Sequence, residues 1–134
     1  MADTNPKARN FALEMGFAEE DICADYKDLI CKADIVDIVT ASDSHYSIAV
    51  ESLRSKIPTL IEKPAVKVLN EAKILCELSE NDCPPVQIQF LLRAHPLVIE
   101  SKKILKSGEI GRLLALDGIF TGWKRMRPDS NILE

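Results

Sequence analysis

Histidine is scarce in this sequence, and its cysteines are not arranged for metal binding. The two histidines are His45 and His95, and the four cysteines form no C-x-x-C pair and have no histidine at zinc-finger spacing. No apolar run approaches the ~20 residues of a membrane helix, and no apolar signal segment follows Met1. These absences predict a cytoplasmic protein with free thiols, no metal site and no membrane partner.

The charge balance gives no sign of a nucleic-acid partner. With 17 basic and 21 acidic residues, the formal net charge is −4, which is too acidic for a general nucleic-acid footprint. The basic cluster of Lys124, Arg125 and Arg127 beside Trp123 is interpreted as a solvated stretch rather than a phosphate patch. At 134 residues and 46% hydrophobic side chains, the chain can bury one core of ordinary size.

Helical and strand-like patterns alternate along the chain. A first helix is marked by Asn5 or Thr4 as its cap, Pro6 at its first position and Gly16 after its end. Cys76 lies in an apolar helical pattern and is predicted to be a core residue. After the short helical run YKDLICK, the strand-like runs are IVDIVTA, PTLIE, VQIQFLL and RLLALDGIFTGW, separated by helices over about 44–55, VLNEAKILCELSEND and HPLVIESKKILKSG. This order predicts an α/β fold with a parallel sheet and right-handed crossovers.

The carboxyl ends of three predicted strands are candidate ligand sites. In an open α/β sheet, ligands bind at the carboxyl ends of the strands. The residues at these ends are Thr40-Ala41-Ser42, Glu62-Lys63-Pro64 and the segment 90–93. An acid, a base and a proline that close a strand are, by themselves, most often a solvated turn. Their place at a strand end makes them candidate site residues.

The order of these segments resembles the Gfo/Idh/MocA oxidoreductase family. The similar segments are Asp3 with NPKARNFALEMGF, YKDLI, DIVTASDSHYSIAVESL, IEKPAVKVLNEAKIL, QFLLRAHP and GEIG. The resemblance implies a partial Rossmann-type sheet with flanking helices over 1–111 and the start of an α+β domain over 112–134. It also implies a homo-oligomeric enzyme that transfers hydride between NAD or NADP and a carbinol carbon of a sugar or polyol.

The family's Gly-rich turn has no counterpart in this sequence. A G-x-G-x-x-G turn brings the backbone close to a pyrophosphate, and none of the five glycines forms this pattern. The resemblance places that turn before Asp3 and a further acid/base motif after Asn131. We therefore expect the sequence to be the central part of a dehydrogenase, inactive by itself. The alternative is a non-catalytic module that binds a nucleotide or a protein partner.

The resemblance assigns catalysis to Lys63. Its ammonium group would stabilise a developing alkoxide and assist proton transfer during hydride transfer. Pro64 would hold the turn rigid, and Glu62 would help to seat Lys63 or the cofactor amide. All three are therefore predicted to lie at the cofactor.

Five further residues have a predicted role and a structural alternative. Asp3 matches the acid that binds the adenosine ribose, which favours NAD over NADP, but it could equally partner a helix dipole. Thr40, Ser42 and His45 would contact the cofactor, although Ser42 could be a helix cap and His45 an ordinary first-turn residue. Arg93 resembles the family's arginine before x-x-P and would contact substrate or brace the cleft.

Overall fold

The centre of the fold is a three-stranded parallel sheet. A computed structural model describes residues 1–80 and 84–119. The strands are β1 (Val36–Ile38), β2 (Thr59–Ile61) and β3 (Val86–Ile88), in this order across the sheet. Because both neighbouring pairs are parallel, the carboxyl ends of all three strands lie at one edge. The predicted α/β class and parallel sheet are confirmed.

Helices follow the strands as the sequence predicts. The α-helices are α1 (Pro6–Glu14), α2 (Lys27–Ile30), α3 (Ser42–Arg54), α4 (Leu69–Glu80) and α5 (Pro96–Ser107). Short 3-10 turns cover Glu19–Asp21 and Leu91–Ala94. The chain divides into a first unit, Met1–Leu92, which holds the sheet, and a second unit that begins at Arg93 and holds α5. In the described part of the chain, no helix has the length and apolar character needed to cross a bilayer.

The predicted ends of α1 are confirmed. Asn5 is the cap, since its side chain accepts a hydrogen bond from the Lys7 backbone N–H at 3.0 Å. Pro6 is the first helical residue, where the missing N–H costs no helical hydrogen bond. Gly16 follows with φ of +93°, a conformation that favours glycine because it has no Cβ.

The core lies between the sheet and helices α3 and α4. Its buried residues are Ile38, Ile48, Ala49, Leu53, Ile61, Ala65 and Leu75. Two buried hydroxyls lie at its border, with Ser52 Oγ and Thr59 Oγ1 2.7 Å apart, and Thr59 also donates to the Ile57 carbonyl at 2.9 Å. Each hydroxyl therefore has a partner, as burial of a polar group requires.

One prediction about a buried residue is wrong. Cys76 is exposed, because a residue one position after the buried Leu75 points roughly 100° away around the helix. On α1 only Ala12 is buried, while Phe11 and Met15 remain largely exposed. A helical pattern in the sequence identifies an apolar stripe, but the neighbouring elements decide which part of it is covered.

The last predicted strand is also not found in the described residues. Residues 113–119 have no regular secondary structure, and the rest of that run lies outside the described residues. A strand needs a neighbour to hydrogen-bond with, and residues 113–119 pair with none of β1, β2 and β3. The domain boundary near Gly111 stays a prediction.

Tyr26 carries a testable pH dependence. Its hydroxyl donates to Glu51 Oε2 at 2.7 Å, and desolvation, with this hydrogen bond, raises the pKa of Tyr26 to about 12 from its usual 10.0. The folded protein thus holds the phenolic proton more tightly than the unfolded chain does. The stabilisation is complete below pH 10 and is lost as pH rises through about 12.

The variant Tyr26→Phe should therefore lower the free energy of unfolding by about 1 kcal/mol at neutral pH. It should also weaken the loss of stability above pH 10. Urea unfolding at neutral and alkaline pH measures both effects. Tyr46→Phe is the matched control, because no hydrogen bond of the Tyr46 hydroxyl is found within the described ranges. Equal curves for Tyr26→Phe and the control would contradict the prediction.

Candidate active site

The ends of β1 and β2 position the predicted site residues. The Glu62 N–H donates to the Ile38 carbonyl at 2.9 Å, and the Gln89 N–H donates to the Ile61 carbonyl at 2.8 Å. These bonds extend the ladder one residue beyond β2, so Glu62 is still fixed by the sheet. Lys63 is the first residue past the ladder, and the Lys63–Pro64 peptide bond is cis.

Lys63 lies at the border of an apolar hollow. The residue is exposed, its backbone N–H donates to Glu62 Oε2 at 2.9 Å, and its ammonium group has no hydrogen bond or ion pair with the described residues. The hollow, about 440 Å³, is lined by Lys63, Pro64, Ala65, Val66, Ile88 and Phe90. It offers apolar walls for a flat ring and one cation beside them.

Phe90 lies in the strand-end segment 90–93 that the sequence identifies, whereas the other apolar walls, Val66 and Ile88, were not identified from the sequence. Val66, Ile88 and Phe90 come from the segment after β2 and from the end of β3. Ile88 ends β3 and Phe90 lies two residues beyond it, and both are large and exposed, at 38% and 45% of their surface. The sequence feature that could have identified these walls is the presence of apolar residues at the carboxyl end of a predicted parallel strand, where ligands bind.

His45 connects two of the predicted site segments. Its side chain is 2% exposed, with Nδ1 2.8 Å from the Pro64 carbonyl oxygen and Nε2 2.8 Å from the Thr40 carbonyl oxygen. The structure thus brings Thr40, His45 and Pro64 together. Both ring nitrogens face carbonyl oxygens of the chain itself, and the contact of His45 with a cofactor stays a prediction.

The loop between β1 and α3 is closed by hydroxyl groups. Thr40 is exposed, and its Oγ1 lies 2.7 Å from Ser44 Oγ, which also donates to the Ala41 carbonyl at 2.8 Å. Ser42 is the first residue of α3, and the cap position is Ala41, which makes no side-chain capping bond. The alternative that Ser42 is the helix cap is therefore wrong. The cofactor contacts of Thr40 and Ser42 stay predictions.

Asp3 directly follows two residues, Met1 and Ala2, that line a second hollow. Its backbone N–H donates to the Cys23 carbonyl at 3.1 Å, and its Oδ1 accepts from the Asn5 N–H at 2.8 Å. The hollow, about 240 Å³, is lined by residues that include Met1, Ala2, Thr40 and several of β1. The segment before Asp3 and the end of β1 therefore border the same space, and ribose binding by Asp3 stays a prediction.

An ion pair lies beside the turn that carries Lys63. Asp43 in the first turn of α3 pairs with Lys67, whose backbone N–H donates to Glu71 Oε2 at 3.0 Å. The hydrogen bond with Lys67, followed by its charge, lowers the pKa of Asp43. Both partners of the ion pair are exposed, so the pair contributes little to stability.

Two predicted features belong to other stretches of the chain. Arg93 lies in the 3-10 turn Leu91–Ala94 at the start of the second unit, and its contact with substrate or the cleft stays a prediction. The basic cluster at 123–127 lies outside the described residues. The site is therefore built from the ends of β1, β2 and β3 in the first unit.

Comparisons with known proteins identify relatives of this chain. Residues 1–90 match the model of a family described as "Oxidoreductase family, NAD-binding Rossmann fold". The chain is 30% identical over 105 residues to inositol 2-dehydrogenase 2 of Saccharopolyspora erythraea, with 76% of this chain and 31% of the relative covered. It is 29% identical over 123 residues to levoglucosan dehydrogenase of Pseudarthrobacter phenanthrenivorans, with 90% and 31% covered. The chain thus spans 31% of the length of each relative.

A solved structure agrees with these matches. Levoglucosan dehydrogenase in complex with NADH and levoglucosan superposes with a TM-score of 0.74 and 26% identity, covering 84% of this chain and 31% of that chain. The parallel sheet with its flanking helices is therefore part of a Rossmann-type fold. The family model covers 90 of the 134 residues, and both the ordered sequence segments and the fold agree with it. This chain belongs to the Gfo/Idh/MocA family of oxidoreductases.

Proposed function

We propose that the full-length protein is a NAD(P)-dependent dehydrogenase that acts on a hydroxyl-bearing carbon of a sugar or cyclic polyol. The observation that carries this proposal is the Lys63 ammonium group beside an apolar hollow at the strand ends. The names of the relatives support the substrate class, since inositol and levoglucosan are both cyclic and rich in hydroxyl groups.

The residues around the hollow fit a nicotinamide ring. Val66, Ile88 and Phe90 provide apolar surface for a flat ring, and Lys63 provides the charged group beside it. When bound, the dinucleotide supplies the hydride acceptor or donor. The walls would exclude water from one face of the ring and keep it beside Lys63.

Lys63 would act on the substrate hydroxyl. In the oxidation direction a neutral Lys63 amine would accept the proton that the hydroxyl loses, and the ammonium charge so formed would stabilise the developing alkoxide. In the reduction direction the ammonium group would donate the same proton back to the substrate oxygen. The backbone of Lys63 is held by the Glu62 carboxylate at 2.9 Å. Glu62 and Pro64 would therefore limit how far the turn can move.

NAD is the proposed cofactor in preference to NADP. The Asp3 carboxylate is held at Oδ1 by the Asn5 N–H, and its Oδ2 has no partner among residues 1–80 and 84–119. An acidic group at this place would accept hydrogen bonds from a ribose and repel a 2′-phosphate. This supports the same preference that the resemblance implied.

A cytoplasmic location and a homo-oligomeric assembly are also proposed. The described cysteines, Cys23, Cys31 and Cys76, are free thiols, which suits a reducing compartment. The oligomer rests on the family resemblance alone.

Turnover by the full-length protein tests the proposal. The protein is mixed with NAD⁺ or NADP⁺ and a panel of cyclic polyols and sugars that includes myo-inositol and levoglucosan, and the reduced cofactor is followed by its absorbance. We expect turnover with NAD⁺ and at least one member of the panel. Binding of NADH without turnover of any member would favour the non-catalytic alternative, and absence of both would contradict the proposal.

A further inference from the structure

The ring of His45 lies between two hydrogen-bond acceptors. Nδ1 and Nε2 each lie 2.8 Å from a backbone carbonyl oxygen, of Pro64 and Thr40 respectively, and the side chain is 2% exposed. A carbonyl oxygen can only accept, and a neutral imidazole has one N–H and one bare nitrogen. In a neutral ring, one bare nitrogen would therefore face a carbonyl at hydrogen-bond distance. A ring with a proton on both nitrogens donates to both carbonyls.

We propose that His45 is a positioning residue for Lys63: its doubly protonated ring joins the Thr40 and Pro64 carbonyls and so fixes the turn that carries Lys63. The inference rests on the proposed role of Lys63. This role differs from a cofactor contact. The ring binds backbone carbonyls of the chain and affects Lys63 only by holding its neighbour Pro64.

The two carbonyls belong to two segments of the candidate site, one at the end of β1 and the other at the end of β2. Thr40 follows β1, and Pro64 follows Lys63 directly at the end of β2. The sheet ladder stops at Glu62, whose N–H donates to the Ile38 carbonyl at 2.9 Å. The contact between His45 and Pro64 thus holds the part of the turn that lies beyond the hydrogen bonds of the sheet. A misplacement of about 1 Å at a reacting group can cost about 10²-fold in rate.

A positive ring at His45 has costs and a compensation. The titratable side chains next to it along the chain, or next to the residues that it contacts, are Asp43 on α3 and Glu62 and Lys63 directly before Pro64. The start of α3 opposes a cation at His45, and burial of the ring opposes it too. Two charge-assisted hydrogen bonds offset these costs.

The other histidine, His95, uses its Nδ1 as a hydrogen-bond acceptor, whereas the proposal makes both ring nitrogens of His45 donors. Its Nδ1 accepts a hydrogen bond from the Leu97 N–H at 3.2 Å, at the start of α5. This nitrogen must therefore be bare. The two histidines therefore differ in the hydrogen bonds of their Nδ1 atoms: Nδ1 of His95 accepts from an N–H, and Nδ1 of His45 faces a carbonyl oxygen.

Nitrogen NMR of the full chain, labelled with ¹⁵N in its histidine rings, tests the protonation of His45 directly. Signals that are present in the native protein and absent in His45→Gln are assigned to His45, and those absent in His95→Gln are assigned to His95. At neutral pH we expect two ring nitrogens that each carry a proton, protected from exchange with water. One protonated and one bare nitrogen in His45 would overturn the proposal, whatever the enzyme's activity.

Kinetics of the full-length protein test the positioning role. His45→Gln should lower kcat about 10- to 100-fold while the Kd for NADH changes less than about threefold, because Lys63 is displaced and the apolar walls remain. Ser47→Ala, an exposed site on the same helix, should leave both unchanged. Unchanged kcat in His45→Gln, or in His45→Asn if the first variant does not fold, would overturn the role. Failure of the Lys63 assignment would instead appear as an active Lys63→Ala variant with the doubly protonated His45 ring retained.

Discussion

Replacing Lys63 with alanine is expected to lower kcat of the full-length enzyme by about 10²- to 10⁴-fold, the range associated with loss of a positioned acid/base group. The alanine variant removes the charged group that borders the apolar hollow. The walls formed by Val66, Ile88 and Phe90 stay in place, so binding of NADH and the KM for substrate should change much less. Steady-state kinetics with the best substrate of the panel measure this difference.

The variant Lys63→Arg distinguishes stabilisation of the alkoxide by charge from transfer of a proton. Arginine keeps a positive charge but does not give up its proton near neutral pH, so it can stabilise an alkoxide and cannot transfer a proton. An arginine variant as slow as the alanine variant would therefore assign the main contribution to proton transfer.

The matched control for Lys63 is Lys73→Ala. Lys73 is an exposed lysine on α4 and should have no effect on kcat. An alanine variant of Lys63 that keeps more than half of the native kcat would contradict the assignment.

The parts of the fold that follow from local rules were predicted correctly from the sequence. Asn5 and Pro6 mark the start of α1 because a capping side chain and a first-turn proline act within a few residues. The runs around Ile38 and Ile61 predict strands because they are rich in β-branched residues, and their alternation with helices predicts a parallel sheet. The place of Lys63 after β2 follows from the same reasoning.

The parts that depend on contacts between distant segments were not predictable. His45 and Pro64 are 19 residues apart, and neither residue type indicates that the ring contacts that carbonyl. The hollow also combines Val66 with Phe90 across the intervening α4. The exposure of Cys76 depends on which neighbour covers α4. A single sequence carries the periodicity of a helix but not the position of the element packed against it.

The variant Ile61→Ala should lower the free energy of unfolding by about 2–5 kcal/mol, the usual cost of truncating a buried isoleucine to alanine. Ile61 is fully buried, at 0% exposure, at the end of the central strand. Its register partners are Ile38 on β1 and Ile88 on β3, so the cavity would open between the sheet and its helices. Urea unfolding of the variant and the native protein measures the difference.

Two comparisons show whether burial causes this loss. Ile61→Val removes one methylene and should cost only about 0.5–1.5 kcal/mol. Ile88→Ala makes the same substitution in the same row of the sheet, but Ile88 is 38% exposed and its loss should be smaller than that of Ile61→Ala. Equal losses at the two positions would mean that the face of β2 is not the centre of the core.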